Sequence, residues 1–160
     1  MDTLQQTEQL LHLMHSRKSI RTYADAAIPQ ECLDAILKAA SLAPTSRDLR
    51  PCTFHLVTDR EQLTQLGHAK AHGAAFTAQA GAAVVVAADS TVADTWIEDS
   101  AIAMTYMMLT AEALGLGCCW VQMHLRTDAD GNSAEDNVRQ ILGLQEQHRI
   151  VGFLSLGVRR

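Results

Sequence analysis

What this chain of 160 residues lacks narrows it quickly. It has no apolar run near the ~20 residues that a membrane-spanning helix needs, and its opening stretch, MDTLQQTEQLLHLMH, has none of the basic-then-apolar plan of a secretory leader. Cations are in deficit. The 13 Lys and Arg stand against 18 Asp and Glu, a formal net charge of -5, which argues against a nucleic-acid protein with its usual basic surface. The four cysteines, Cys32, Cys52, Cys118 and Cys119, include no CxxC pair, and the vicinal two are poorly spaced for a metal site or an ordinary disulfide. They read as reduced, mostly buried thiols of a cytoplasmic protein. Repeats, low-complexity segments and linkers are missing too, so the 48% hydrophobic content suits one domain with a full core.

What is present reads as alternating helices and strands. Leu4, Leu10, Leu11 and Met14 recur at helical spacing and predict a first helix. IPQECLDAILKAASLAP predicts a second: Pro29 suits its first turn, Leu33, Ile36, Leu37 and Ala40 share a face, and Pro44 lies beyond its end. CTFHLVT alternates as a strand does, Asp59 can cap REQLTQL, and residues 82–88 form an apolar run short enough for a buried strand. Over residues 94–116 a period near 3.6 persists for roughly six turns, which predicts a long, mostly buried central helix carrying Ile97, Ala101, Met104, Met108, Ala111 and Leu114. CCWVQ then reads as a strand, SAED as the start of a helix running to Gly143, and IVGFLSLGV as a last strand. This order predicts an α+β layer fold with a sheet of four or five strands.

Most chemistry-bearing patterns have a structural account. Gly115 and Gly117 in GLGCCW end a helix and open a strand, the reverse of a dinucleotide fingerprint, and one of them is expected as a helix C-cap. His12 and His15 lie three apart but have no third ligand at matching spacing, and no feature marks Cys52 as an activated nucleophile. Glu98 and Asp99 open the central helix, where carboxylates complement its dipole, and Met104, Met107 and Met108 suit a core or a dimer seam. Two segments resist such accounts. SRKSIRTY gathers Arg17, Lys18 and Arg21 around Ser19, and two guanidiniums, an ammonium and a hydroxyl within one helical turn can meet a phosphate from several directions. A merely solvated cationic face is the alternative. KAHGAAF sets small residues, Gly73 among them, beside Lys70 and His72, where a ligand ring can approach the backbone closely.

Four segments, in order and at similar spacing, resemble the FMN-dependent nitroreductase family over nearly the whole chain. SRKSIRTY is similar to its R-(R/K)-S-(I/V)-R-x-(F/Y) segment and LAPTSRDLRPCTFHLVTD to its A-P-(S/T)-S-x-N-x-Q-P-W-x-F segment. AEALGLGCCWVQ and VRQILGLQEQHRIVGFLSLGV are similar to its G-L-G-S-C-W and L-G-(I/L)-P segments, while KAHGAAF and DTWIEDSAIA resemble a short-chain branch. The resemblance implies a nitroreductase-like fold with a central mixed sheet of four to five strands flanked by helices. It also implies residues 1–160 as a single FMN-binding domain, and a homodimer with two composite sites. By the same resemblance Arg17 and Ser19, with Lys18 adjacent, take the FMN phosphate and ribityl chain, and Arg21 sits near N1 and O2 of the flavin and tunes it. Pro44, Thr45, Ser46 and Asp48 reach the partner's flavin, and backbone N–H groups after Trp120, at Val121, Gln122 and Met123, lie near N5; Arg50 beside that loop, and Lys70, His72 and Gly73 from the room in their segment, are expected to bind the cofactor too.

The chain departs from the family pattern at several of these places. Asp48 stands where the family has Asn, Arg50 where it has Gln, Cys52 where it often has Trp, and Cys118 where it has Ser. An anionic Asp48 beside a flavin carbonyl needs Arg47 or Arg50 as compensation. The sequence stops at GVRR, short of the tail that in many members brings a cation to the phosphate; Arg159 and Arg160 are the candidates for that cation, the alternative being that the terminal residues play no part. The implied activity takes hydride from NADH or NADPH and reduces a nitroaromatic, quinone or similar small aromatic acceptor by a ping-pong mechanism, the flavin carrying the chemistry. A flavin-binding protein that stores or senses FMN is the alternative, motivated by the short chain and the lost loop Asn. No metal, nucleic-acid or membrane partner is expected.

Overall fold

Local chemistry sets the element boundaries in a computed structural model that describes residues 2–160. Helix α1 (Thr3–Ser16) is followed by α2 (Gln30–Leu42), which starts directly after Pro29 and buries Leu33, Ile36 and Ala40. Strand β1 (Cys52–Val57) leads into α3 (Arg60–Gly67), whose first turn is closed by the Asp59 carboxylate accepting the Gln62 N–H. Strand β2 (Ala82–Asp89) precedes the long α4 (Trp96–Ala113), and β3 (Leu116–Gln122), α5 (Ala134–Leu142) and β4 (His148–Val158) follow. Ser133 Oγ accepts the Asp136 N–H at the start of α5, and Gly143, at φ 66°, takes the left-handed cap at its end. Of the two glycines expected after the central helix, Gly115 turns the chain at φ 71°, whereas Gly117 already lies in β3.

The strands form one sheet in the order β1-β2-β4-β3, and all three ladders are antiparallel. The expected α+β fold is present with four strands, and the parallel component of a mixed sheet is reduced to one bridge, Ser19 to Cys118, on the outer edge of β3. Helices cover both faces. Met104, Met107 and Ala111 of α4 and Leu33 and Ile36 of α2 pack on Val84, Val86, Leu154 and Leu156, while Leu63 and Leu66 of α3 and Val138 of α5 pack on Val85, Ala87 and Phe153. Burial of both faces explains why β2 reads as an unbroken apolar run rather than an alternating one. All four cysteines are free thiols, Cys118 and Cys119 fully buried and Cys32 and Cys52 partly so. No helix among the described residues is long and apolar enough to cross a membrane.

Periodicity located the helices but not what covers them. Ile97, Ile102, Tyr106 and Leu114 of the α4 region are exposed, so the helix is buried along one face only. The α1 stripe of Leu4, Leu10, Leu11 and Met14 is exposed throughout, and no residue of α1 is buried.

At Gly152 of β4 there is no room for a side chain: an added Cβ would fall on the Val121 carbonyl oxygen of β3 and lie 3.2 Å from Trp120 Nε1. Gly152→Ala is expected to lower stability by about 1–3 kcal/mol, as overpacking does. Urea unfolding measures this, and an unchanged midpoint would show that the strands can part at no cost.

Candidate active site

The cationic segment leaves the end of α1, meets the outer edge of β3 at Cys118 and then crosses to the end of β4, where Tyr23 bridges to Arg159. The Arg17 N–H closes the last turn on the Leu13 carbonyl, and three residues later the Ile20 N–H donates to the Cys118 carbonyl at 2.8 Å. Gly117 permits this approach, because a Cβ there would lie 2.8 Å from Ile20 Cγ2. The far end is fixed by Tyr23, whose hydroxyl lies 2.9 Å from the Ile20 carbonyl and 3.0 Å from Ser155 Oγ; burial pushes its pKa far above that of an ordinary phenol. The segment is therefore pinned at Ile20 and at Tyr23 and lies outside any helix, so its cations are spread along an extended stretch between β3 and the end of β4 rather than gathered in one helical turn. Arg17 is half-buried, and Lys18, Ser19 and Arg21 are exposed.

Arg159 arrives at the same corner from the end of β4. Its Nε donates to the Leu116 carbonyl at 3.1 Å, and its Nη2 pairs with Glu112, whose other oxygen accepts Ser16 Oγ at 2.8 Å. Arg17, Glu112 and Arg159 all lie near enough to act on the Cys118 thiol, which burial pushes up to about 11. That thiol backs the corner without being a nucleophile.

Further along β3, strand alternation decides which backbone donors face outward. The Met123 N–H donates to the Val151 carbonyl at 2.8 Å, whereas the Cys118 carbonyl faces the cationic segment. Odd-numbered residues of β3 therefore pair with β4, and the N–H groups of Trp120 and Gln122 point to the free edge. Within residues 121–123 only Gln122 offers an outward donor; Val121 and Met123 are buried, their N–H groups turned toward β4. The Trp120 indole N–H donates to Gln122 Oε1 at 2.9 Å, and Gln122 Nε2 donates to the His124 carbonyl at 3.3 Å. Lys70 is half-buried near Cys119 and Arg126, and burial first, then Arg126, lowers its pKa. Gly73, at φ 77°, turns its segment back beneath the Lys70 ammonium, and His72 beside it is exposed.

Pro44, Thr45, Ser46, Asp48 and Arg50 belong to a separate place, against the first turn of α4. The Ser46 N–H donates to Asp99 Oδ1 at 3.1 Å, and Thr95 Oγ1 donates to Asp99 Oδ2 at 3.0 Å, so the buried Asp99 holds the loop as well as facing the helix dipole. Arg50 Nε pairs with Asp48 at 2.8 Å, while Arg47 faces Asp94 at 3.6 Å; the compensation that Asp48 needs comes from Arg50. Arg47, Asp48 and Arg50 sit at φ 54°, 54° and 50°, a left-handed run uncommon outside glycine that must be held by its surroundings. Asp99 and Glu112 stand at opposite ends of α4, about 20 Å apart at 1.5 Å per residue. One chain thus keeps the loop and the cationic corner well separated.

A third cluster had no signature in the sequence. Glu135, only 6% exposed, accepts Arg149 Nε and Nη2 at 3.0 Å each and the Ile150 N–H at 2.9 Å, and lies 2.8 Å from His124 Nδ1. The Arg149 guanidinium stacks 4.5 Å from the centre of the Trp96 ring, which meets the His124 ring edge-to-face at 5.2 Å. Burial pushes the Glu135 carboxyl up, but the bonds from Arg149, His124 and Ile150 outweigh it and hold it below the usual carboxylate range.

Known proteins share this arrangement of chain. The sequence profile described as "Nitroreductase family" matches residues 14–95 and 60–158. A curated protein of Archaeoglobus fulgidus named "Putative NADH dehydrogenase/NAD(P)H nitroreductase" is 34% identical over 154 residues, which cover 94% of this chain and 85% of that one. A protein of the same name from Methanothermobacter thermautotrophicus is 35% identical over 151 residues, covering 92% and 76%. Among solved structures, an FMN-dependent nitroreductase from Clostridium difficile superposes with a TM-score of 0.91 at 38% identity, over 93% of this chain and 87% of that one.

Because the folded pKa of Glu135 is depressed, its contribution to stability is present above its unfolded value of about 4.3 and is lost as pH falls through the folded one. Glu135→Gln is expected to lower stability by about 3 kcal/mol at neutral pH, the low end for removing one partner of a buried ion pair, since Arg149 keeps access to solvent. Unfolding followed at decreasing pH should show the gap to wild type narrowing below about pH 4.3. A gap independent of pH would mean that the carboxylate charge is not its source.

Proposed function

The chain belongs to the nitroreductase family, and from that premise we propose that it is an FMN-dependent oxidoreductase acting as a cytoplasmic homodimer. It takes hydride from NADH or NADPH and reduces a nitroaromatic, quinone or similar small aromatic acceptor by a ping-pong mechanism. The observation that carries this reading is the shared edge of β3. Arg17, Lys18 and Ser19 are donors on a segment without a carboxylate, fixed opposite Cys118, and the outward Gln122 N–H lies four residues further on the same edge. That separation, about 13 Å at 3.3 Å per residue, suits a ligand with a phosphate at one end, a five-carbon chain, and a hydrogen-bonding ring system at the other. The donor set therefore fits FMN.

FMN supplies the hydride chemistry when bound. The protein's part is to bind and orient. Arg17 and Ser19, with Lys18, take the phosphate through charge-assisted bonds, which are the strong ones. The outward N–H groups of Trp120 and Gln122 would meet the ring near N5, and Lys70, His72 and Gly73 would border it. Arg21 would bring its cation near N1 and O2, where it would stabilise negative charge on the ring.

The residues from Pro44 to Arg50 act on a second copy of the chain. Their distance from the cationic corner along α4 supports this, as do the exposed apolar side chains of α1 and α4, which suit a seam between copies. Each chain, residues 1–160, then works as one FMN-binding domain with half of two composite sites. Of the two grounds for the storage reading, the short chain and the lost loop Asn, the second is weakened by the pairing of Arg50 with Asp48.

Natively purified protein should carry a non-covalent flavin that heat releases, and should oxidise NADH or NADPH when a quinone is supplied. FMN-loaded protein that turns over neither nucleotide would favour storage instead. Arg17→Ala should weaken FMN by about tenfold to a hundredfold while leaving riboflavin, which lacks the phosphate, nearly unaffected. Fluorescence titration reads both, and equal losses would return Arg17 to a solvated face.

A further inference from the structure

Both oxygens of Glu112 are spent on residues that flank the cationic segment. We propose that Glu112 is a positioning residue for phosphate recognition, acting through Ser16 and Arg159; this rests on the FMN reading above. Glu112 lies in the last turn of α4 with its side chain 10% exposed. One oxygen accepts Ser16 Oγ at 2.8 Å, and Ser16 is the last residue of α1, directly before Arg17. The other pairs with Arg159, whose backbone bridges to Tyr23 at the far end of the segment. One carboxylate thus ties both ends of the phosphate-binding stretch to α4.

The tie at Ser16 is the polar part of the contact between α1 and α4. Helix α1 buries no residue, and among the described residues the Ser16–Glu112 bond is the single side-chain hydrogen bond from α1 to the rest of the chain. Losing it loosens the helix end whose next residue is Arg17, while packing on α4 and the Ile20–Cys118 bond keep the segment in place. At the other end, Arg159 is held through Nε by Leu116 and through Nη2 by Glu112, which orients its guanidinium and leaves Nη1 for an anion. A carboxylate beside a phosphate site is electrostatically adverse, so charge and geometry make opposite predictions. If Glu112 acted only as a negative charge, removing it would tighten FMN. If it positions the donors, removing it loosens FMN.

Dissociation constants of FMN and riboflavin, with sedimentation and thermal unfolding as controls, decide between them. Glu112→Ala is expected to weaken FMN by about tenfold, the loss of one well-placed charge-assisted bond, with riboflavin nearly unchanged. Glu112→Gln, which keeps an acceptor for Ser16 but not the ion pair, should fall between Ala and wild type. Tighter FMN binding, or equal weakening of both ligands, would overturn the assignment. Should Glu112→Ala not fold, Ser16→Ala tests the same tie from its other side, and a ratio of FMN to riboflavin affinity identical to wild type rejects it. Arg17→Ala separates the layers: no change in that ratio for Arg17→Ala removes the phosphate from this corner and both readings with it. A change there without one at Glu112 overturns only the positioning role.

Discussion

The hydrogen bond from Ile20 to the Cys118 carbonyl decides what the edge of the sheet can offer. An open strand edge is a row of unpaired donors and acceptors, and proteins usually cover it. Here the cover is partial: a cation-bearing segment takes the first part of β3 and stops, so the second part keeps its outward N–H groups. Gly117 makes the covered part possible, since any side chain there would collide with Ile20. Positive charge at one end and a bare backbone donor at the other follow from where the cover ends.

Helix α4 serves as a spacer between two unlike ends. Near its N-terminus Asp99 is consumed in holding a loop of left-handed residues, and near its C-terminus Glu112 is consumed in joining α1 to the end of β4. Its middle packs on the sheet through Met104 and Met107, so neither end can move without disturbing the core. Two carboxylates that composition alone would count as surface charge are in this way structural fixings at either end of one rigid rod.

Much of the fold was legible because its signals are local. Asp59 and Ser133 bond N–H groups three residues on, Gly143 needs only its own φ, and the double-faced burial of β2 writes an apolar run directly into the sequence. The partners of Asp99, Glu112 and Glu135 were not legible, because Ser46, Ser16 and Arg149 are far away in sequence and no spacing rule connects them. The cationic segment lay between these cases: its residue types pointed to a phosphate, yet its conformation depends on pairing with Cys118, a contact nearly a hundred positions downstream. The exposed stripe of α1 shows the same limit, since periodicity records an apolar face and not its occupant.

The thiol behind the corner sets a limit on how the cell's oxidants can reach it. With burial pushing its pKa to about 11, Cys118 is held as the neutral thiol at neutral pH. Peroxides and disulfides attack through the thiolate, so a group this rarely ionised reacts slowly with either. A cysteine in a position where the family carries serine would ordinarily make a binding corner answer to the redox poise of its surroundings. In this fold the desolvation that hides Cys118 also keeps it in the thiol form, which lowers that sensitivity.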